Sequence, residues 1–119
     1  MSREIIQPAG TTPGGILSPG VRVGNLLWTA GSTGSNPETG ETSDDVQEQT
    51  RQTLEKLKKV VEAAGSSFAN AVKVNIYLAD IKDRPAVNQV YQEYFPKDPP
   101  GRTCIGNAGF DGNTLIEIE

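Results

Sequence analysis

Apolar and polar residues first alternate with the period of a β-strand. Two β-prone blocks, Val21–Val23 and Leu26–Ala30, flank Gly24-Asn25, a pair typical of a tight hairpin turn. Residues 7–20 are rich in Gly, Pro and Thr and indicate an ordered loop or a short edge strand. Gly31–Thr42 is rich in turn residues and predicts a loop. The first third of the chain therefore predicts a β-hairpin between loops.

A helical period follows and is the clearest pattern in the chain. One stripe recurs at helical spacing: Val46, Thr50, Thr53, Leu54, Leu57, Val60, Val61 and Ala64. Ser43 or Asp44 is expected to cap the start of this helix. Gly65 is expected to end it, because glycine adopts the left-handed conformation that closes many helices.

A strand and a shorter helix come next. Ala71–Ala79 alternates and places four apolar residues on one face: Val72, Val74, Ile76 and Leu78. Asp83 is expected to cap the second helix, with Pro85 in its first turn and Pro96 at its end. Its buried stripe is predicted to be Val87, Val90, Tyr91 and either Tyr94 or Phe95.

Two further strands, Arg102–Gly106 and Thr114–Glu119, complete the pattern. In the last strand, Leu115 or Ile116 with Ile118 is expected to face the core, opposite the glutamates. Because amphipathic helices return to a sheet, both are expected to cover one face of a mixed β-sheet. The sequence thus predicts an α+β fold in a single domain over residues 1–119. Only 35 % of residues are apolar, so the second sheet face is expected to be wet or covered by another subunit.

The charge balance and the single cysteine limit the partners and the compartment. Eleven Lys and Arg against fifteen Asp and Glu give a net charge of −4, which disfavours binding to nucleic acid. Lys56, Lys58 and Lys59 interleave with glutamates and predict a solvated helix face. No apolar run suits a membrane span, and residues 1–15 show no leader pattern. Together with one cysteine, these features predict a cytoplasmic protein without a membrane partner, and a mitochondrial location is the alternative.

The absence of histidine excludes more classes of catalytic site than any other feature of the composition. With no His, the chain has no Ser-His-Asp triad, no Cys-His dyad and no His-based metal site. Catalysis must then depend on carboxylates, Arg, Lys, Tyr, Cys, hydroxyls or backbone amides. Neither a metal nor a cofactor is expected.

Three residues near the C-terminus are candidates for chemistry. Arg102 follows the rigid turn Pro99-Pro100-Gly101 and is a candidate anchor for a small carboxylate, although a solvated strand-end Arg is the commoner case. Glu117 lies in the apolar strand LIEIE and is either a proton-exchanging carboxylate or a charge that protects a sheet edge. Cys104 is best interpreted as a small buried strand residue, whose backbone groups remain available for binding.

The chain resembles the RidA (YjgF-type) family of enamine/imine deaminases. The resemblance runs from about Pro13 to Glu119 and depends on many short segments in the right order. They are Val23–Leu26, Thr29–Gly31, Asn36–Gly40, Gln49–Leu54, Val61–Gly65, Val72-Lys73, Leu78–Asp80, Val87–Tyr91, Pro100–Cys104 and Ile116–Glu119.

The resemblance implies a fold and an assembly. It implies a chorismate-mutase-like α+β fold and a homotrimer whose sheets close around a central barrel, with active sites in clefts between subunits. It also implies that neighbouring strands bring Arg102 and Glu117 to one cleft. Arg102 then grips the substrate carboxylate, the backbone at Cys104 helps to hold substrate or water, and Glu117 handles the attacking water. Gly31 and Asn88 border the cleft.

Three positions depart from the family pattern. Leu17 stands where the deaminases usually carry Tyr, Ala30 where Ser is common, and Ser32 where Gln often follows the glycine. These changes alter the wall of the implied pocket. Leu17 and Ala30 are therefore included among the expected substrate-binding residues.

The function implied is hydrolysis of reactive 2-enamine or 2-imino acids, of the 2-aminoacrylate type, to 2-keto acids and ammonia. Such substrates are labile to water, so holding the carboxylate and one water suffices. A non-catalytic trimer that binds small carboxylates, regulatory or chaperone-like, is the alternative, and Leu17 keeps it open. An endoribonuclease is a further alternative that the acidic charge and missing histidines disfavour.

Overall fold

The computed structural model describes residues 2–119, which form seven strands and two α-helices. The strands are β1 (Arg3–Ile6), β2 (Gly20–Val23), β3 (Leu26–Thr29), β4 (Ser32–Thr33), β5 (Lys73–Leu78), β6 (Gly101–Ile105) and β7 (Ile116–Ile118). The helices are α1 (Val46–Ala63) and α2 (Arg84–Tyr94). None of the helices in this part of the chain is both long enough and apolar enough to cross a membrane.

The strands form two sheets that follow each other along the chain. One has the order β1-β2-β3 and is antiparallel. The other has the order β4-β7-β5-β6, in which β5 and β6 are parallel and β7 is antiparallel to both of its neighbours. Helix α2 connects β5 to β6, since parallel neighbours require a crossover. The predicted mixed sheet is confirmed.

Both helices pack on the same face of the four-stranded sheet. Alternate residues of β5 and β7 point at them, because successive side chains of a strand face opposite ways. The main core consists of Leu54, Leu57, Val74, Ile76, Leu78, Val87, Val90, Tyr91, Phe95, Ile116 and Ile118. The predicted α+β architecture with two helices on one face is therefore confirmed. Of the predicted helix stripes, Val60 is also buried, whereas Val61 and Ala64 are only half-buried.

The start of α1 differs from the sequence expectation, whereas its end agrees with it. The N-cap is Asp45, whose side chain accepts a hydrogen bond from the Gln47 backbone N–H at 3.2 Å. Ser43 instead accepts one from the Asp45 N–H at 3.1 Å, so the predicted caps, Ser43 and Asp44, are wrong. Gly65 has a φ of +82° just after the helix, which confirms the predicted stop.

Helix α2 begins from a short 3₁₀ turn, Ile81–Asp83. Asp83 occupies the N-cap position as predicted but makes no side-chain capping bond. Asp80 satisfies the turn instead, accepting from the Lys82 N–H at 2.9 Å. The helix ends at Tyr94, two residues before Pro96.

Three strand expectations need correction. Strand β1 was not predicted, because only Ile6 of its four residues is buried and backbone pairing with β2 defines it. Strand β4 lies inside the predicted loop Gly31–Thr42, since two residues carry too short a pattern to recognise. Val72 does not join the buried face of β5: it precedes the strand and is 80 % exposed.

Gln49 is a polar residue in the core that the sequence pattern missed. It is fully buried on α1, and its amide makes three hydrogen bonds. Nε2 donates to the carbonyls of Ser43 at 2.6 Å and Asn113 at 2.9 Å, and Oε1 accepts from the Leu115 N–H at 2.8 Å. Gln49 therefore ties the start of α1 to the segment that leads into β7.

Replacing Gln49 with leucine is expected to destabilise the protein by about 3 kcal/mol, because the backbone groups of Ser43, Asn113 and Leu115 lose their hydrogen-bond partner. Urea denaturation measures the change. Gln52→Leu is the control, since Gln52 is half-buried and bonds only Glu48 within the same helix. A loss below about 1 kcal/mol for Gln49→Leu contradicts the role given to this side chain.

Candidate functional site

Arg102 lies on the outer strand of the sheet, next to α2. Strand β6 pairs only with β5 among the described strands, and Arg102 stands in register with the core residue Val74. Its Nη1 donates to Oδ1 of Asn88 at 2.7 Å, and its Cζ lies 4.9 Å from the centre of the Tyr91 ring. Asn88 and Tyr91 are three residues apart on α2, so they meet the guanidinium side by side.

The guanidinium of Arg102 is held without an acidic partner. The ion pairs within residues 2–119 are Arg22–Glu4 and Arg51–Glu93, and neither involves Arg102. A half-buried Arg fixed by an amide and an aromatic face keeps donors free for a planar anion. This arrangement favours the carboxylate anchor over the solvated strand end.

Tyr91 supports Arg102 and stays neutral. Burial raises the pKa of its phenol, although the positive charge of Arg102 opposes that shift. Its hydroxyl is buried and has no hydrogen-bond partner within the described residues. The ring, which also stacks on Phe95 at 4.6 Å between centres, is thus a fixed platform for the guanidinium.

Cys104 shares the helix-facing side of β6 with Arg102. It stands in register with Ile76 and packs half-buried against the core. Its sulfur therefore takes the place of a small core residue, as the sequence indicates.

Glu117 lies on the opposite side of the sheet. Ile116 and Ile118 on either side of it point into the core, so Glu117 faces away from the helices. It is half-buried in the middle of the sheet, between Thr33 of β4 and Tyr77 of β5. It is not at a sheet edge, which removes the edge-protection interpretation.

The carboxylate of Glu117 is packed directly on Gly31. A Cβ at position 31 would overlap the carboxylate oxygen and would lie 2.9 Å from its Cδ. The chain between β3 and β4 can pass this close to Glu117 only because residue 31 has no side chain. Gly31 therefore belongs to the candidate site through a contact that the sequence does not reveal.

Gly31→Ala is expected to displace the Glu117 carboxylate and to lower activity at least tenfold with little loss of stability, since only the end of a side chain must move. Steady-state kinetics and a thermal melt measure both effects. Gly109→Ala is the control, because nothing lies within 4 Å of the added methyl there. Unchanged turnover of Gly31→Ala shows that the position of Glu117 is unimportant.

Gly31 also borders a cleft of about 420 Å³. Leu17, 62 % exposed, and Ala30 line the same cleft. Lys56 of α1 lines it as well and is half-buried, so the prediction that this lysine is solvated is wrong. Lys58 is exposed as predicted, because it lies on the outer side of the helix.

The predicted site residues form two groups rather than one. Arg102, Asn88 and Cys104 lie on the helix side of the sheet, at its β6 edge. Glu117 faces the other side, and β5 separates its strand from β6. The expectation that Arg102 and Glu117 lie on neighbouring strands is therefore wrong, and within one chain the two side chains lie on opposite faces of the sheet. Order along the sequence does not give order in the sheet.

A larger cavity, of about 640 Å³, lies between β3 and the start of β5. Residues 26–29 form one side and residues 71–75 the other, with Leu54 and Leu57 of α1 beneath. None of the predicted site residues lines it. In residues 2–119, no three Cys, Asp or Glu side chains lie close enough together to hold a metal ion.

The fold and these residues define a class: a small α+β protein with a half-buried arginine that has no acidic partner among the described residues, and with a separate carboxylate on the opposite sheet face. The family model described as "Endoribonuclease L-PSP" matches residues 10–119. A "2-iminobutanoate/2-iminopropanoate deaminase" of Dermatophagoides farinae is 36 % identical over 118 residues, covering 98 % of this chain and 92 % of that protein. A "RutC family protein" of Pyrococcus abyssi is 37 % identical, covering 100 % of this chain and 95 % of that protein.

Solved structures give the same relationship. The crystal structure of Escherichia coli TdcF with bound serine superposes with a TM-score of 0.84 at 32 % identity, covering 97 % of this chain and 94 % of that one. The chain belongs to the Endoribonuclease L-PSP family, which is the YjgF/RidA family that its sequence resembles.

Proposed function

We propose that the protein hydrolyses small 2-enamine or 2-imino acids to 2-keto acids and ammonia. The observation that carries this proposal is the guanidinium of Arg102, which Asn88 and Tyr91 fix and no acid of the described residues neutralises. Relatives with deaminase names support the reaction type. A carboxylate anchor and a second, water-handling carboxylate are the parts that this reaction needs.

The chemistry follows from these two groups. Arg102 binds the substrate carboxylate in bidentate fashion and fixes the neighbouring C=N carbon. Glu117 accepts a proton as water adds to that carbon, giving a carbinolamine. The same carboxyl then returns the proton to the nitrogen. As ammonia leaves, the carboxylate takes the hydroxyl proton of the carbinolamine, and the C=O of the keto acid forms. An enamine first tautomerises to the imine, so one water is consumed in either case.

The two groups meet only if a second subunit supplies one of them, because they lie on opposite faces within one chain. We therefore place the site between subunits of a homotrimer. The unpaired edge of β6 and the open sheet face that carries Glu117 are the surfaces available for that contact. A cytoplasmic location and a single domain over residues 1–119 remain predictions.

The test generates imino acids in situ, in the assay mixture. An L-amino-acid oxidase supplies them from several amino acids, and semicarbazide traps whatever is not hydrolysed. We expect the wild-type protein to reduce the trapped imine in proportion to its concentration. Full trapping with every parent amino acid, by a protein that light scattering shows to be trimeric, contradicts the proposal.

A carboxylate-binding protein without turnover is the second candidate function. Leu17 favours it, since this residue lies at the rim of the cleft and offers no hydroxyl. The TdcF structure with bound serine shows that a relative holds an amino acid. Calorimetric binding of 2-oxobutanoate without any loss of trapped imine identifies this function.

A ribonuclease is the weaker proposal, although the family description carries that name. The net charge of −4 disfavours RNA, and the chain has no histidine for acid–base cleavage. RNA cleavage that disappears in both Arg102→Ala and Glu117→Gln would favour it, whereas cleavage that survives both changes marks a contaminant.

A further inference from the structure

Lys56 is the ionisable side chain of α1 that departs most from its sequence expectation. It follows the buried residues Gln49 and Thr53 at spacings of seven and three, so it continues their inward-facing row. Its ammonium nitrogen bonds the Ser35 hydroxyl at 3.0 Å and borders the 420 Å³ cleft. A cation in this row replaces what is normally an apolar residue.

The ammonium has no acidic partner in the described chain. Neither of the two ion pairs there involves Lys56. Burial lowers its pKa, and no nearby carboxylate contributes to that shift. Half-burial without a counter-ion disfavours the charged form of Lys56. An anion that binds in the cleft would therefore offset the desolvation cost of the ammonium.

The cleft adjoins the proposed site. Gly31 lines the cleft and also packs directly against the Glu117 carboxylate. Lys59 and Glu38 also line the cleft, and Lys59 adds a second positive charge. Glu38 is exposed, and its carboxylate forms no ion pair with Lys56 or Lys59. Leu17, where the resembling deaminases usually carry Tyr, leaves the rim without an aromatic ring.

We propose that Lys56 binds a second acidic group of the substrate, so that the protein prefers imino acids with an anionic side chain. The carboxylate next to the C=N bond goes to Arg102, and the side-chain carboxylate enters the cleft toward Lys56 and Ser35. This proposal depends on the proposed function, because it assumes that Arg102 holds the first carboxylate. It assigns Lys56 to specificity, with no part in bond making.

The test compares two keto-acid products as ligands by calorimetry. 2-Oxoglutarate carries the second carboxylate, and 2-oxobutanoate does not. We expect wild-type protein to bind 2-oxoglutarate roughly tenfold more tightly, as one charged hydrogen bond of this kind contributes. Lys56→Met is expected to remove that difference and to leave 2-oxobutanoate binding unchanged. Lys58→Met, the same charge change at an exposed position of α1, is expected to retain it.

The same variants test turnover with imines made from glutamate and from 2-aminobutanoate. Lys56→Met is expected to raise KM for the glutamate imine alone, with kcat unchanged. It is also expected to melt no lower than wild type, because Met fills the site without a buried charge. Equal affinity for the two ligands in wild type, or a preference that survives Lys56→Met, overturns the role of Lys56 alone. Failure of both ligands to bind overturns the proposed function with it.

Discussion

Replacing Arg102 with alanine is expected to lower kcat/KM for imino acids by about two to three orders of magnitude. The substrate carboxylate then loses its charged partner in a half-buried site, and such truncations cost several kcal/mol. Imine trapping with semicarbazide measures the loss. Because Asn88 and Tyr91 of α2 remain in place, the thermal melt is expected to change little.

Two companion variants separate charge from geometry at this position. Arg102→Lys keeps the charge but loses the planar fork, so it is expected to recover only part of the activity. Arg84→Ala removes an exposed arginine at the start of α2 and is expected to leave activity unchanged. Full activity of Arg102→Ala in a folded trimer contradicts the anchor.

Glu117→Gln is expected to lower kcat about a hundredfold while KM changes little. The amide keeps the shape of the side chain and its place on Gly31 but does not accept a proton from water. Steady-state kinetics on the same imines separate the two constants. A rise in KM at constant kcat instead indicates that Glu117 binds substrate and plays no part in proton transfer.

Glu119→Gln is the matched control for Glu117→Gln. Glu119 lies on the same face two residues along, and its carboxylate accepts from Tyr77 at 3.0 Å and from Asn75 at 3.3 Å. These partners lie on β5 rather than at Gly31. Its conversion to Gln is therefore expected to leave kcat near the wild-type value.

The helices and the inner strands were predictable because their patterns are long and regular. Both α1 and α2 carry long stripes of inward-facing residues at helical spacing. The alternation of LIEIE correctly places Ile118 inside and Glu117 outside, and the structure buries Ile116 rather than Leu115 beside it. Strand β4 has only two residues and β1 buries only one, so neither has a detectable period. Short strands in this fold depend on backbone pairing, which side-chain patterns do not record.

The candidate site was only partly predictable for a different reason. The sequence identifies Arg102 and Glu117 by residue type and context, but the order β4-β7-β5-β6 places their strands on either side of β5. Contacts between residues far apart in the sequence are likewise not visible in the local pattern of apolar and polar residues. Three features appear only when the chain is folded: the contact of Arg102 with the Tyr91 ring, the contact of Glu117 with Gly31, and the half-burial of Lys56.

The most direct test of the account mixes two inactive variants. Arg102→Ala and Glu117→Gln chains are co-expressed, and the assembled trimers are assayed by imine trapping. If one subunit supplies Arg102 and its neighbour supplies Glu117, random assembly in equal amounts gives about one intact site in four. We therefore predict recovery of about a quarter of wild-type activity. Mixed trimers no more active than their parents would contradict a site shared between subunits.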